Sequence, residues 1–273
     1  MSPVWSEPFT VHTYEVDAGG RASIQSLCSF LQEAAGRNAD ALGVTVPQLM
    51  EHGLTWVLSR LLVRIHDYPG WWDRLVIETW PSGFHRLFAL RDWRIFRRDE
   101  LLAEATSAWL MVQVEGRRPI RPDSHGDWAS QVHPERAIAL TLEKLPELEA
   151  AESGRASPHP LEAHEEEFRV RYRDLDMNGH ANNISYLDWF LEVLPYSFRD
   201  SHTLQELEVN FMAELGAGDT VRSRALARSV PPAPASRGST AAAGTTVAFD
   251  HSLTRLEENQ PAARARTRWT RIP

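Results

Sequence analysis

The feature that most constrains this chain is that it repeats itself. Phe9-Thr-Val-His-Thr-Tyr-Glu-Val-Asp17 lies over Phe168-Arg-Val-Arg-Tyr-Arg-Asp-Leu-Asp176 at an offset of 159 (168 − 9). The same offset carries Ala22 onto Ala181, Phe30 onto Trp189 and Glu33 onto Glu192. Further on, Asp73 meets Asp219 at 146 (219 − 73), and Ala103-Glu-Ala-Thr-Ser-Ala-Trp109 meets Ala263-Arg-Ala-Arg-Thr-Arg-Trp269 at 160 (269 − 109). The shifts imply extra residues in the first copy after its helix, around Gly43 to Thr55. They also imply an inserted loop in the second copy, Val230-Pro-Pro-Ala-Pro-Ala-Ser-Arg-Gly-Ser-Thr-Ala-Ala-Ala-Gly244, whose composition predicts a mobile hairpin tip.

Each copy reads as strand, helix, then several strands. Ile24, Leu27, Phe30, Leu31 and Ala34 share one helical face, as do Ile184, Leu187, Phe190, Leu191 and Leu194. Strand-like runs follow, including Trp56–Val63, Leu75–Trp80, Ala105–Val112 and Leu207–Met212. One apolar helix followed by an antiparallel sheet predicts an α+β unit whose helix is wrapped by the sheet. Residues 1–121 and 168–273 are expected to form two such units, with a pocket closed between them. Residues 122–167 form the connection, rich in charge and ending in Ser153-Gly-Arg-Ala-Ser-Pro-His-Pro.

Composition removes several classes of function. A formal charge of −8 argues against a general nucleic-acid binder. The basic clusters Arg91–Arg98 and Arg117–Arg121 read first as solvated surface. One cysteine, Cys28, excludes an internal disulfide framework and a Cys-rich zinc site. No apolar run is long enough for a membrane span and no secretory signal opens the chain, so a cytoplasmic location is expected. There is no Gly-x-Ser-x-Gly elbow and no phosphate loop, and no cofactor or metal motif is found.

What remains is Asp174-Leu-Asp-Met-Asn-Gly-His-Ala-Asn-Asn-Ile-Ser-Tyr186. If extended, it would turn Asp176, Asn178 and His180 to one side. Asp, Asn and Gly also favour turns and helix caps, so composition alone leaves cap and site both open. The repeat separates them. The first copy reads Asp17-Ala-Gly-Gly-Arg21, which keeps the aspartate but sets Gly19 opposite Asn178 and Arg21 opposite His180. Both copies must enter a helix, yet only the second carries Asn and His. Glu214 is equally one-sided, since its counterpart at an offset of 146 is Tyr68 (214 − 146). A histidine beside carboxylates can take a proton, and the amides of a helix's first turn can hold an oxyanion.

These residues resemble the plant-type fatty acyl-acyl carrier protein thioesterases and their bacterial relatives. The likeness extends through Trp56-Val-Leu-Ser-Arg60, Tyr68-Pro-Gly-Trp-Trp-Asp73, Glu78-Thr-Trp80, Arg91-Asp-Trp93 and Ala105–Trp109, and so covers nearly the whole chain. The resemblance implies a tandem (double) hot-dog fold, with the acyl chain held in the N-terminal half and catalysis in the C-terminal half. It maps the family's Asp-x-Asn-x-His onto Asp176, Asn178 and His180, and its later glutamate onto Glu214. Plant members carry a cysteine directly after that glutamate, whereas here the residue is Leu215. Cys28 lies in the first helix and reads as a core thiol.

The implied reaction is hydrolysis of an acyl thioester without a cofactor. His180 with Glu214 activates water, Asn178 positions it, Asp176 orients its neighbours, and amides around 181–183 hold the oxyanion. Direct attack by Glu214 is an open variant. The implied partner is an acidic acyl carrier protein (ACP) bearing a fatty acyl chain, docked by one of the arginine clusters, and a homodimer is left open. Two rivals stand beside this reading: a hot-dog dehydratase of 3-hydroxyacyl thioesters, and a non-enzymatic acyl-binding module.

Overall fold

The structure is a computed structural model that describes residues 4–148, 163–228 and 246–272. The expected hairpin tip at 230–244 lies outside the described residues. Two compact units divide the chain, Met1–Leu142 and Glu143–Pro273.

In the first unit β1 (Trp5–Thr10) leads to α1 (Ile24–Ala41) and a short α2 (Val46–Met50). Then come β2 (Leu54–Ile65), β3 (Arg74–His85), β4 (Phe88–Arg97), β5 (Glu100–Gln113) and β6 (Pro119–Ile120). The extra residues after the first helix thus form α2, capped by Thr45, whose hydroxyl accepts from the Gln48 N–H. The strand order is β1-β3-β4-β5-β2, with β6 on β5. In the second unit β7 (Ala163–Arg169) precedes α3 (Asn183–Glu192) and α4 (Tyr196–Ser201). These lead into β8 (His202–Phe211), β9 (Thr220–Arg228), β10 (Thr246–Arg255) and β11 (Gln260–Arg271). Its order, β7-β9-β10-β11-β8, reproduces the first unit strand for strand. Each unit is a helix set on an antiparallel sheet.

Local chemistry sets the helix ends. Ser23 Oγ accepts from the Ser26 N–H at 3.1 Å to start α1. Gly43, at φ +72°, closes it in the left-handed region that favours glycine. Leu27, Leu31 and Ala34 are buried on one face, and truncating Leu27 to alanine would cost about 2–5 kcal/mol. The second helix is shorter because Pro195 follows Leu194 and denies it a further turn. Tyr186, Leu187, Phe190 and Leu191 of α3 are buried, while Ile184, expected on that face, is half-buried at the first turn.

Side chains alternate across the sheet, so the pairs Thr79↔Trp93 and Trp93↔Ala105 share the face toward α1. The Trp93 indole donates to the Leu31 carbonyl at 3.0 Å and fixes that face to the helix. The opposite face is covered by residues after β6: the Trp80 indole donates to the Glu135 carbonyl, and Asp92 takes Arg136 at 2.8 Å and the Ala137 N–H at 3.1 Å. Much of the charged connection is therefore tied down where it is described. In the second unit the Leu145 N–H donates to the buried Asn210 side chain at 2.7 Å. Among the described residues no helix is long and apolar enough to cross a membrane.

Candidate active site

The segment before α3 is a closed turn and not the extended run expected from sequence. Asp176 Oδ1 accepts the Asn178 N–H at 2.8 Å and the His180 N–H at 3.3 Å, while the Asp176 N–H donates to the His180 carbonyl at 2.7 Å. Gly179 takes φ +78° at the corner, a conformation that costs a glycine little. Asp176 therefore points into its own loop instead of beside His180. Asn178 is exposed, with its Nδ2 3.4 Å from Asp176 Oδ2. Asn182 caps α3, its Oδ1 accepting the Ile184 N–H at 3.0 Å.

Glu214 follows β8 and reaches this loop through the backbone. The Ala181 N–H donates to the Leu215 carbonyl at 2.8 Å, and His180 bridges Gly216. That contact leaves His180 Nε2 3.6 Å from Glu214 Oε2, with the side chains 42% and 37% exposed, so water reaches both. The gap is just beyond a direct hydrogen bond.

Sequence reasoning missed the two groups that hold Glu214. The Tyr186 hydroxyl donates to the Ala213 carbonyl at 2.9 Å, and burial pushes that phenol up, keeping its proton in place. The Arg255 guanidinium donates to the Glu214 carbonyl and pairs with Asp219 Oδ2 at 3.1 Å. Arg255 had a signal in the repeat: Arg97 holds Asp73 at the same 3.1 Å in the first unit.

The other copy has the same frame with different chemistry. Asp17 Oδ1 takes the Gly19 and Arg21 N–H groups at 2.8 and 3.1 Å, the Ala22 N–H donates to Pro69, and Arg21 bridges Gly70. Where the second unit sets His180 against Glu214, the first sets the Arg21 guanidinium 5.9 Å from the centre of the Tyr68 ring. The frame thus confirms the pairing of Glu214 with Tyr68.

One expectation needs correction. The Ala181 and Asn182 amides already donate to Leu215 and Asp174, the latter at 2.7 Å, so neither is open for an oxyanion. Asn183 is the one member of that trio whose N–H has no recorded acceptor among the described residues. Most of the Arg91–Arg98 cluster is engaged within its own unit, while Arg98 is exposed. Arg91 turns inward to Asn38, Arg94 pairs with Glu135, and Arg97 is shared by Asp67, Asp73 and Glu100. Arg121 of the other cluster pairs with Asp123. Leu215 and Cys28 are both buried, and burial pushes the Cys28 thiol up to about 12, which leaves it inert.

Comparison with known proteins agrees with this frame. The model of the acyl-ACP thioesterase N-terminal domain matches residues 3–124, and that of the acyl-ACP thioesterase C-terminal domain matches residues 159–271. The oleoyl-acyl carrier protein thioesterase 2 of Arabidopsis thaliana is 30% identical over 97% of this chain and 76% of its own length. The structure of a 12:0-ACP thioesterase from Umbellularia californica superposes with a TM-score of 0.79 at 26% identity, covering 99% of this chain and 95% of that one. An acyl-ACP thioesterase from Bacteroides thetaiotaomicron shares the fold, with a TM-score of 0.77 at 21% identity over 98% of each chain. With both domain models matched in order over two copies of one helix-on-sheet unit, the chain belongs to the acyl-ACP thioesterase family, a double hot-dog hydrolase of fatty acyl-ACP thioesters.

Proposed function

We propose that the second unit carries the hydrolysis and that His180 and Glu214 together take the proton from the attacking water. The observation that carries this reading is the 3.6 Å approach of the two side chains at a place where the first unit holds Arg21 and Tyr68. Neither first-unit residue can act as a base here: a guanidinium keeps its proton, and burial pushes the Tyr68 phenol far up. Asn178, exposed at the loop tip, positions water or the thioester carbonyl. Asp176 is a positioning residue that holds the loop, and the Asn183 N–H at the first turn of α3 is the oxyanion donor. The first unit holds the acyl chain. Loss of a base typically costs about 10²–10⁴ in rate. Thiol release from acyl-ACP by His180→Ala and Glu214→Ala, with folding checked by circular dichroism, tests the pair. Near-normal turnover by either variant removes that residue. Turnover of a 3-hydroxyacyl thioester without thiol release would favour the dehydratase instead.

The carrier protein docks, in this proposal, on Arg169, Arg171 and Arg173 beside the catalytic loop. All three are exposed, and none has an ion pair among the described residues, whereas most arginines elsewhere are paired. The first unit has Thr10, His12 and Tyr14 at these places. Exposed Tyr172 and Met177 on the same loop add apolar contact to a basic edge suited to an acidic protein. The working compartment is the cytoplasm, whose reducing conditions suit a chain with one free thiol.

A further inference from the structure

Two side chains grip the backbone that carries Glu214. The Tyr186 hydroxyl donates to the Ala213 carbonyl at 2.9 Å, and the Arg255 guanidinium donates to the Glu214 carbonyl. These carbonyls belong to the two peptide groups that flank the Glu214 Cα. The peptide group before them is fixed by the Ala213 N–H, which donates to the Ala262 carbonyl at 3.0 Å. The one after them is held at both ends: the Leu215 carbonyl takes the Ala181 N–H at 2.8 Å, and the Gly216 N–H donates to Asp219 Oδ2 at 2.8 Å. Every peptide group from 212–213 to 215–216 is thus anchored. Tyr186 is itself locked, being buried with its ring 5.5 Å from those of Trp189 and Phe211.

The first unit builds the same frame without the tyrosine and with its arginine engaged otherwise. At the offset of 159 that pairs the helices, Tyr186 falls on Leu27 (186 − 159), which is buried and has no hydroxyl to donate. Arg97 stands in the place of Arg255 and makes the matching 3.1 Å ion pair, with Asp73 for Asp219. Its Nη2, however, donates to Asp67 Oδ2 at 2.9 Å and to Glu100 Oε2 at 2.7 Å. Asp67 corresponds to Ala213 at the offset of 146 (213 − 146). An alanine there removes the competing carboxylate, and Arg255 Nη2 turns to the Glu214 carbonyl. The hydroxyl, the missing carboxylate and Glu214 itself therefore occur together, on an arginine–aspartate frame common to both units.

We propose that Tyr186 and Arg255 are positioning residues for the reaction: they fix the peptide groups on either side of Glu214 and so set its carboxylate against His180. This rests on the reading that Glu214 shares the proton transfer. A carboxylate on a loose backbone samples many directions, and a misplacement of about 1 Å can cost about 10²-fold in rate. Both residues act through Glu214 and not on the substrate, so their loss should fall on kcat and leave KM unchanged. Ala213 belongs to the same device by what it lacks.

The test measures thiol release from acyl-ACP by Tyr186→Phe, Arg255→Lys and Ala213→Asp, with Arg97→Lys as the first-unit control. The first three are expected to lose about ten- to a hundredfold in kcat, with KM within about twofold of wild type. Arg97→Lys should keep wild-type kcat although it weakens the same kind of arginine–aspartate pair. Placed on Glu214→Ala, the three substitutions should cost nothing further, because the group they position is gone. Ala213→Asp leaves Tyr186 and Arg255 in place and copies the first unit's Asp67, so it carries the test if another variant fails to fold. Wild-type kcat in all three, with Glu214→Ala impaired, would overturn the proposal. So would a rise in KM alone, or losses on the Glu214→Ala background as large as those on wild type. Wild-type kcat in Glu214→Ala itself would instead end the reading of Glu214 as a base.

Discussion

Asp17 and Asp176 hold their loops in the same way, each carboxylate taking the N–H two residues on at 2.8 Å and a second N–H four residues on. The loop before each helix is therefore held by an aspartate whatever its tip carries. Asp17→Ala and Asp176→Ala should each lose about 1 kcal/mol of stability, the worth of such a bond. Only Asp176→Ala should also slow hydrolysis, because only that loop carries His180. Denaturant midpoints and kcat for both variants check this. Equal kcat loss in the two would show that the first loop takes part in turnover.

Exchanging the reactive pair for its counterpart is a sharper probe than alanine. His180→Arg with Glu214→Tyr places the first unit's Arg21 and Tyr68 pair on the matching frame of the second. The double variant should melt close to wild type and lose about 10²–10⁴ in rate. Activity within a few-fold of wild type would remove the pair from the mechanism.

Charge on the approach to the site is testable through salt. Arg169→Ser/Arg171→Ser/Arg173→Ser should lower kcat/KM on acyl-ACP, flatten its dependence on ionic strength, and leave the corresponding acyl-pantetheine unaffected. Equal loss on acyl-phosphopantetheine would mean that the arginines meet the phosphate of the prosthetic arm. Equal loss on acyl-pantetheine would mean that they act on the catalytic loop itself.

His251 gives the fold a defined sensitivity to acid. It is buried, bonded through Nε2 to Thr267 Oγ1 at 2.9 Å, and burial pulls its pKa down from 6.5 to about 3. The unfolded chain thus binds the proton first, so stability is present above the unfolded value and is lost as pH falls from 6.5 toward 3. Between about pH 7 and pH 5 this group should withdraw about 2 kcal/mol. His251→Gln should be less stable near neutrality and show a shallower decline. Parallel denaturation curves in which variant and wild type lose the same amount would exclude His251 as the source.

Cys28 supplies a negative control for covalent catalysis. A buried thiol held near 12 is not a thiolate at neutral pH, so alkylating reagents should leave native turnover unchanged. Prompt inactivation with labelling of Cys28 would require a different nucleophile from the one proposed.

The repeat made the architecture readable from sequence, because Phe9/Phe168, Asp17/Asp176 and Asp73/Asp219 mark strand, turn and strand in the same order as the structure. His180 and Glu214 stood out for the same reason, as departures from an otherwise matched frame. Other features could not be seen along the chain. Which amides of α3 remain open depends on Leu215 and Asp174, which reach them across the fold. Arg91 read as surface because a basic run looks solvated until strand alternation turns one member inward. Arg255 acts on the backbone of Glu214 and Tyr186 on that of Ala213, and backbone acceptors leave no mark in a side-chain pattern. The short α2 and α4 span too few turns to show a helical period.

The loop before the helix keeps its shape with Gly-Gly-Arg at its tip in one unit and Asn-Gly-His in the other, since an aspartate and a corner glycine hold both. The loop is thus closed through the backbone at positions 178 and 180, which leaves their side chains freer to vary. Residues so placed can be replaced one at a time, by selection or in the laboratory, with the loop still formed around each newcomer. New reactivity in this scaffold is therefore best sought at those two sites.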